Sequence, residues 1–233
     1  MRVLILAVLF VALGSASEVN ASHYSWLGHS GEVTADARAL GSFAPTFYRI
    51  LDEAAPEWST GERGEELLTQ KGQLIARVTS AFKKQLDVEG SARLRDGRIV
   101  NIEDRVRGQQ RYVVVQNAPF GLGAPGFKLI PYRTVAVDPR RIKLGTVLYI
   151  PSLVGITLPS GELHDGFCFA HDTGHGITGN RLDLFVGFES DRDNALTRSA
   201  RIASGEPIRV HTVVGATAAT LNARFAKDFS SRD

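Results

Sequence analysis

"FCFAHDTGHGITGNRLDLFVG", residues 167–187, places two strand-like runs on either side of a glycine-rich turn, and each run carries an aspartate. Phe167–Ala170 and Leu182–Val186 have the apolar, aromatic and β-branched content of buried strands. Asp172 closes the first run and Asp183 lies inside the second. A carboxylate in such a place loses its hydration, so it must find partners or keep its proton.

Short strands recur on both sides of this stretch. "TVAVD" (134–138), "TVLYIP" (146–151), "GFCFAHD" (166–172), "RLDLFVG" (181–187) and "PIRVHTVV" (207–214) are separated by the turn-forming segments "PRRIKLG", "LPSGE", "TGHGITGN" and "SDRDNA". Upstream, "RYVVVQ" (111–116) and Phe43–Ile50 read the same way. This spacing predicts a mainly β fold closed into a barrel rather than a parallel sheet with helices. Asp96-Gly97 between "SARLR" and "RIVNI" signals a tight hairpin. Residues 65–86 read as an amphipathic helix. Leu67, Leu68, Lys71, Ile75, Val78, Phe82 and Leu86 recur at steps of three and four, with Glu65 and Glu66 at the start and Lys83 and Lys84 near the end. Residues 18–40 are expected to be irregular, with turns at "GHSG" and, further on, "DEAAPEWSTGERG". The tail, 216–233, is either a helix with Leu221, Phe225 and Phe229 on one side or unstructured. No repeat or clear linker appears, so a single domain over residues 41–215 is expected.

The chain has 233 residues, 43% hydrophobic and 22% charged, as globular proteins do. A net charge of +2 without a Lys/Arg block argues against a dedicated nucleic-acid binder. The opening, "MRVLILAVLFVALGSASEV", reads as a signal peptide over residues 1–17: Arg2, an apolar stretch over 3–14, then small residues with cleavage near Ala16 or Ser17. That stretch is too short to span ~30 Å of hydrocarbon. The mature protein is therefore expected outside the cytoplasm, in the periplasm, the cell envelope or the medium, without an integral membrane span. Cys168 is the only cysteine, so no internal disulfide forms, and its apolar neighbours suit a buried thiol.

Three chemistries compete for residues 171–183. "GHGITG" (174–179) fits a dinucleotide-binding glycine pattern, but that mechanism needs a helix to follow, and "RLDLFVG" is strand-like. His171 and His175 have a four-residue ligand spacing that works on a helix, whereas Thr173, Gly174 and Gly176 argue against one, so no metal is expected. "HDTG" has the look of an aspartic protease site. A second such motif is missing, so that reading requires a homodimer.

Taken together, "YRTVAVDPRRIKLGTVLYIPS" (132–152) followed by "GFCFAHDTGHGITGNRLDLFVG" (166–187) resembles the three-aspartate (3D) domain. Membrane-bound lytic transglycosylase A and stationary-phase-survival-type muralytic proteins share this domain. Asp138, Asp172 and Asp183 fall on the family's three positions. "VEGSARLRDGRIVN", the connector "APFGLGAPGFKLIPYRTVAVD" and "TFYRI" (46–50) resemble the approach to the first aspartate, so the likeness covers about residues 41–214. His175 stands where the family has glycine and Thr178 where it has lysine.

The resemblance implies a double-ψ β-barrel whose groove binds peptidoglycan glycan strands. It further implies cleavage of the β-1,4 bond between N-acetylmuramic acid and N-acetylglucosamine without water, leaving a 1,6-anhydro end; no cofactor is expected, and the protein is expected to be a monomer. A poor leaving group needs a carboxylic acid that holds its proton near neutrality. Asp172 is the expected acid and then base. Asp138 and Asp183 are expected to raise its pKa by crowding or to hold the glycine loop. Thr46, Tyr48 (as a sugar platform), Thr173, Gly174, His175, Gly176 and Gly179 are the expected substrate contacts. The departures at His175 and Thr178 keep a non-catalytic peptidoglycan-binding module as the alternative, ahead of the dimeric protease.

Overall fold

The computed structural model describes residues 36–124 and 126–230, with side chains up to 223 in the last helix. The proposed signal peptide and the "GHSG" turn lie outside the described residues.

Six strands pair side by side in a closed ring. They are β1 (Ala37–Tyr48), β8 (Thr134–Val137), β9 (Val147–Tyr149), β10 (Phe167–Asp172), β11 (Arg181–Phe185) and β12 (Ile208–Val213). Their order round the ring is β1-β11-β8-β10-β9-β12. Pairs β1/β11 and β8/β10 are parallel, while β11/β8, β10/β9, β12/β9 and β1/β12 are antiparallel. Alternation sorts the side chains. Phe43, Phe47, Val135, Val137, Ala170, Leu182 and Leu184 bury into the main apolar core. Thr46, Tyr48, Ala136, Asp183 and Phe185 take the intervening positions and share the other face.

Beyond β1 the chain turns through Ile50 into a second layer. A four-stranded sheet has the order β2 (Leu51–Asp52), β5 (Ser91–Arg93), β6 (Ile99–Val106), β7 (Gln109–Val115). The hairpin at Asp96-Gly97 forms as expected, with Gly97 at φ +86°. An apolar cluster of Ile50, Ile99, Leu129 and Phe185, flanked by Tyr48, Phe120 and Phe188, joins this layer to the ring.

The helix expected over 65–86 is not there. Residues 65–78 form an antiparallel pair, β3 (Glu65–Leu68) and β4 (Leu74–Val78), and only Ser80–Glu89 is helical (α1). Gly72, at φ +77°, turns the chain between the two strands. The Thr79 hydroxyl caps α1 by accepting from the Phe82 amide at 3.2 Å, and Gly90 at φ +84° ends it. The periodicity nonetheless marked real core positions, because Leu67, Val78, Phe82 and Leu86 are all buried in one cluster. Packing the second sheet requires those residues on one side, and two strands plus a helix achieve that as well as one long helix does. Phe82→Ala is expected to lower unfolding stability by about 3–5 kcal/mol. Lys71→Ala, at an exposed turn position, is expected to leave it unchanged, and urea midpoints check both.

Two further expectations change. The segment expected to be irregular up to residue 40 is already strand from Ala37. The tail resolves as a helix, α3 (Gly215–Ser230), with Leu221 buried. Among the described residues no helix is long and apolar enough to cross a membrane.

Candidate active site

Asp172 and Asp183 reach their places by strand register, with a register shift between Ala170 and Asp172, and Asp138 follows the end of β8. On β8, Ala136 is opposite Asp183 of β11 on one side and opposite Asp172 of β10 on the other. Asp183 is in turn opposite Thr46 of β1. One rung across four strands therefore reads Thr46, Asp183, Ala136, Asp172. Two strand spacings put the Cα atoms of the two acids ~10 Å apart, with Ala136 as the intervening residue on the rung. The neighbouring rung on β1 and β11 carries Tyr48 and Phe185, whose rings lie 5.0 Å apart.

Asp172 is held at both oxygens. Oδ1 accepts from the Thr173 amide at 2.8 Å and the Ala124 amide at 3.1 Å, and Oδ2 accepts from the Tyr48 hydroxyl at 2.8 Å. Burial raises its pKa, and these three donors only partly offset the rise. The cover comes from the connector before β8. Gly123 lies so close that a β-carbon there would stand 2.9 Å from Asp172 Cγ and collide with the His171 carbonyl. The Asn101 side chain pins the connector from β6, donating to the Leu122 carbonyl at 2.7 Å and accepting from the Leu122 amide at 3.0 Å. Phe127 then stacks on His171 at 4.1 Å, and burial depresses the His171 pKa to about 4.

Asp183 differs from Asp172 in having a free oxygen. Its buried Oδ1 has no hydrogen-bond partner among the described residues. Burial pushes its pKa up to about 6, opposed by the Thr46 hydroxyl and Arg181 and reinforced by Glu89 and Asp172. Glu89, at the end of α1, is a neighbour the sequence did not reveal. Its carboxylate accepts from the Arg49 amide at 3.3 Å and from Gln85 at 3.0 Å. It lies just past the segment read as a helix over 65–86, in the stretch "VEGSARLRDGRIVN", which the sequence marks for its likeness to the approach to the first aspartate.

Asp138 works in the opposite direction to the crowding expected of it. It is 3% exposed and accepts from the Arg140 side chain at 2.9 and 2.8 Å, from the Arg140 amide at 3.0 Å and from the Gly179 amide at 2.8 Å. The Arg140 guanidinium holds its carboxyl well below the usual range. Asp138 is thus an ionised anchor for the glycine loop, and burial rather than repulsion lifts Asp172. Within the loop, Ile177 is buried under Gly174, and Gly179 turns at φ +63°. Thr173 and Gly174 are half-buried beside Asp172, while His175, Gly176 and Thr178 are exposed at the rim. β11, not a helix, follows the loop, so the glycines offer no helix N-terminus to a dinucleotide. Among the described residues no three His, Cys, Asp or Glu side chains group as metal ligands. Cys168 is buried, and its thiol is pushed up to about 12 by burial.

Tyr48 was expected to be a sugar platform, yet its hydroxyl is committed to Asp172. Because that bond lowers the Asp172 pKa, Tyr48→Phe is expected to raise it further. The alkaline limb of any Asp172-dependent activity then moves to higher pH, while the rate at the optimum falls by about tenfold. A pH–rate profile of the variant checks both changes.

The 3D domain family model matches residues 133–202, the span from β8 through α2 (Ala195–Arg198) that contains all three aspartates. The likeness to the 3D domain read from the motifs therefore stands. Similar solved structures include Escherichia coli MltA with bound chitohexaose, at 16% identity over 76% of this chain and 72% of that one, with a TM-score of 0.48. A membrane-bound lytic murein transglycosylase from Agrobacterium tumefaciens is 15% identical over 80% of this chain and 77% of its own, with a TM-score of 0.49. The lytic transglycosylase LtgG of Burkholderia pseudomallei is 18% identical over 74% and 71%, with a TM-score of 0.39. No curated protein matches the chain by sequence.

Proposed function

We propose that this protein is an exported lytic transglycosylase that cuts peptidoglycan glycan strands with Asp172 as its single acid and base. The observation that carries the reading is a carboxyl group at the middle 3D-motif position, lifted by burial yet fixed in orientation by three donors. Two amides occupy Oδ1, so in the acid form the proton sits on Oδ2, the oxygen facing Tyr48.

The reaction needs no water. Asp172 Oδ2 gives its proton to the glycosidic oxygen as the bond from the anomeric carbon breaks. The resulting carboxylate takes the proton of the muramic 6-hydroxyl, whose oxygen closes on the anomeric carbon. The acid is regenerated, and atoms and charge balance. Asp183, with one unpartnered oxygen, accepts a sugar hydroxyl or offsets positive charge developing on the ring. Thr46, Thr173, Gly174, His175, Gly176 and Gly179 border the strand's path, and Asp138 keeps the loop in place. We read the six-strand ring as a double-ψ barrel and the acting species as a monomer in the periplasm or cell envelope.

Purified protein incubated with peptidoglycan sacculi is expected to release 1,6-anhydro-muropeptides, identified by mass spectrometry. Products with a reducing end would mean hydrolysis and defeat the mechanism. Co-sedimentation with sacculi without soluble products would mean a binding module instead.

A further inference from the structure

The rung row that holds Asp183 continues past it into a basic edge. One step along β11, on the same face, Arg181 is opposite Ala44 of β1. One step further along β1, Ser42 is opposite Arg209 of β12. Successive same-face positions are ~7 Å apart, so the face runs from the Tyr48/Phe185 pair through Asp183 to two arginines. Arg141, from the loop after β8, leans onto the same edge and donates to the Asn180 side-chain oxygen at 3.2 and 2.9 Å. Arg181 donates only to the Gly176 carbonyl, at 3.3 Å.

These three exposed guanidinium groups differ from Arg140, which is neutralised by Asp138. Among the described residues, Arg141, Arg181 and Arg209 have no carboxylate within ion-pair distance. Arg141 and Arg181 are instead positioned by neutral oxygens, with donors left over. A fork of charged donors held in place but not neutralised suits a planar anion.

We infer that Arg141, Arg181 and Arg209 form a carboxylate-binding rim that takes an acidic group of the substrate strand. The inference rests on the peptidoglycan reading above. In that polymer the carboxylate is either the free lactyl group of a peptide-free muramic residue or a carboxylate of the stem peptide. The rim then favours muramic-containing strands over neutral N-acetylglucosamine oligomers.

Binding is measured by calorimetry at low salt in Asp172→Asn protein, so that ligands survive. The ligands are an N-acetylglucosamine hexamer, a peptide-free glycan, and a peptide-bearing glycan. Acidic ligands are expected to bind about fivefold tighter than the hexamer, an advantage that shrinks as salt is added. Arg141→Gln/Arg181→Gln is expected to remove the advantage while leaving hexamer affinity unchanged, which also shows that the variant folds. Preference for the peptide-free glycan identifies the lactyl group as the ligand, and preference for the peptide-bearing one identifies the stem. Equal binding of all three ligands, or an advantage that survives the double variant, overturns the rim while the groove stands. Failure to bind any glycan overturns the groove reading and the rim with it.

Discussion

Asp172→Asn is expected to cut anhydro-muropeptide release about a thousandfold, because general acid–base catalysis by one group contributes ~10²–10⁴. Asparagine keeps the shape and can still accept from the Thr173 and Ala124 amides, but it has no acidic proton to give. A carboxyl group whose ionisation burial opposes costs stability above the pKa of a free aspartate, and asparagine, which does not titrate, removes that cost. The variant should therefore melt no lower than the parent, which separates lost chemistry from lost folding. The pH profile of the parent follows from the same direction of shift. Since its pKa is raised, Asp172 stays protonated to higher pH than a free aspartate, and activity falls as pH climbs through that raised value. Asp183, at about 6, ionises in the mildly acidic range, so activity that needs its carboxylate rises there as pH increases. A residual rate within tenfold of the parent in Asp172→Asn would reassign the acid.

Gly123→Ala is the second large effect. The added methyl would collide with the His171 carbonyl and crowd Asp172 Cγ, and neither backbone nor carboxyl carbon can swing away as a flexible side-chain tip does. The connector must lift. Overpacking of this kind costs about 1–3 kcal/mol. The functional loss should be larger, about a hundredfold, because displacement by ~1 Å is enough at a site that works by positioning. Lifting the connector also weakens the Ala124 amide bond and admits water to Asp172, returning its pKa toward the ordinary carboxylate value. The alkaline limb of the pH profile should then move to lower pH, opposite to Tyr48→Phe. Melting curves and pH profiles of the two variants check this opposition.

What could be read from the residues follows a physical boundary. Short apolar runs bounded by glycine and proline placed β7 to β12 within a residue or two, most plainly where β8, β9 and the start of β10 are buried on both faces. The 65–86 segment misled because its apolar residues serve one cluster from two strands and a helix, and Gly72 and Thr79 were weak punctuation within a helical period. The aspartates were visible because charged residues at the ends of apolar strands are costly. Their division of labour was not. That Asp138 is clamped by Arg140 while Asp172 is capped by Tyr48 depends on contacts of which one spans two residues and the other 124. Glu89 and the Asn101 clamp were invisible for the second reason, since only the folded chain brings them to the groove.

The Asn101 clamp bears on modularity. The segment from 133 to 202 holds all three motif aspartates, but the hydroxyl on the acid comes from β1, the amide over it from the connector, and the connector's anchor from the other sheet. Severed from those, the middle aspartate would be an ordinary solvated carboxylate, deprotonated in neutral buffer. On the proposed mechanism, catalytic competence would belong to the joined layers, and neither a transplanted motif nor a half-folded nascent chain would possess it.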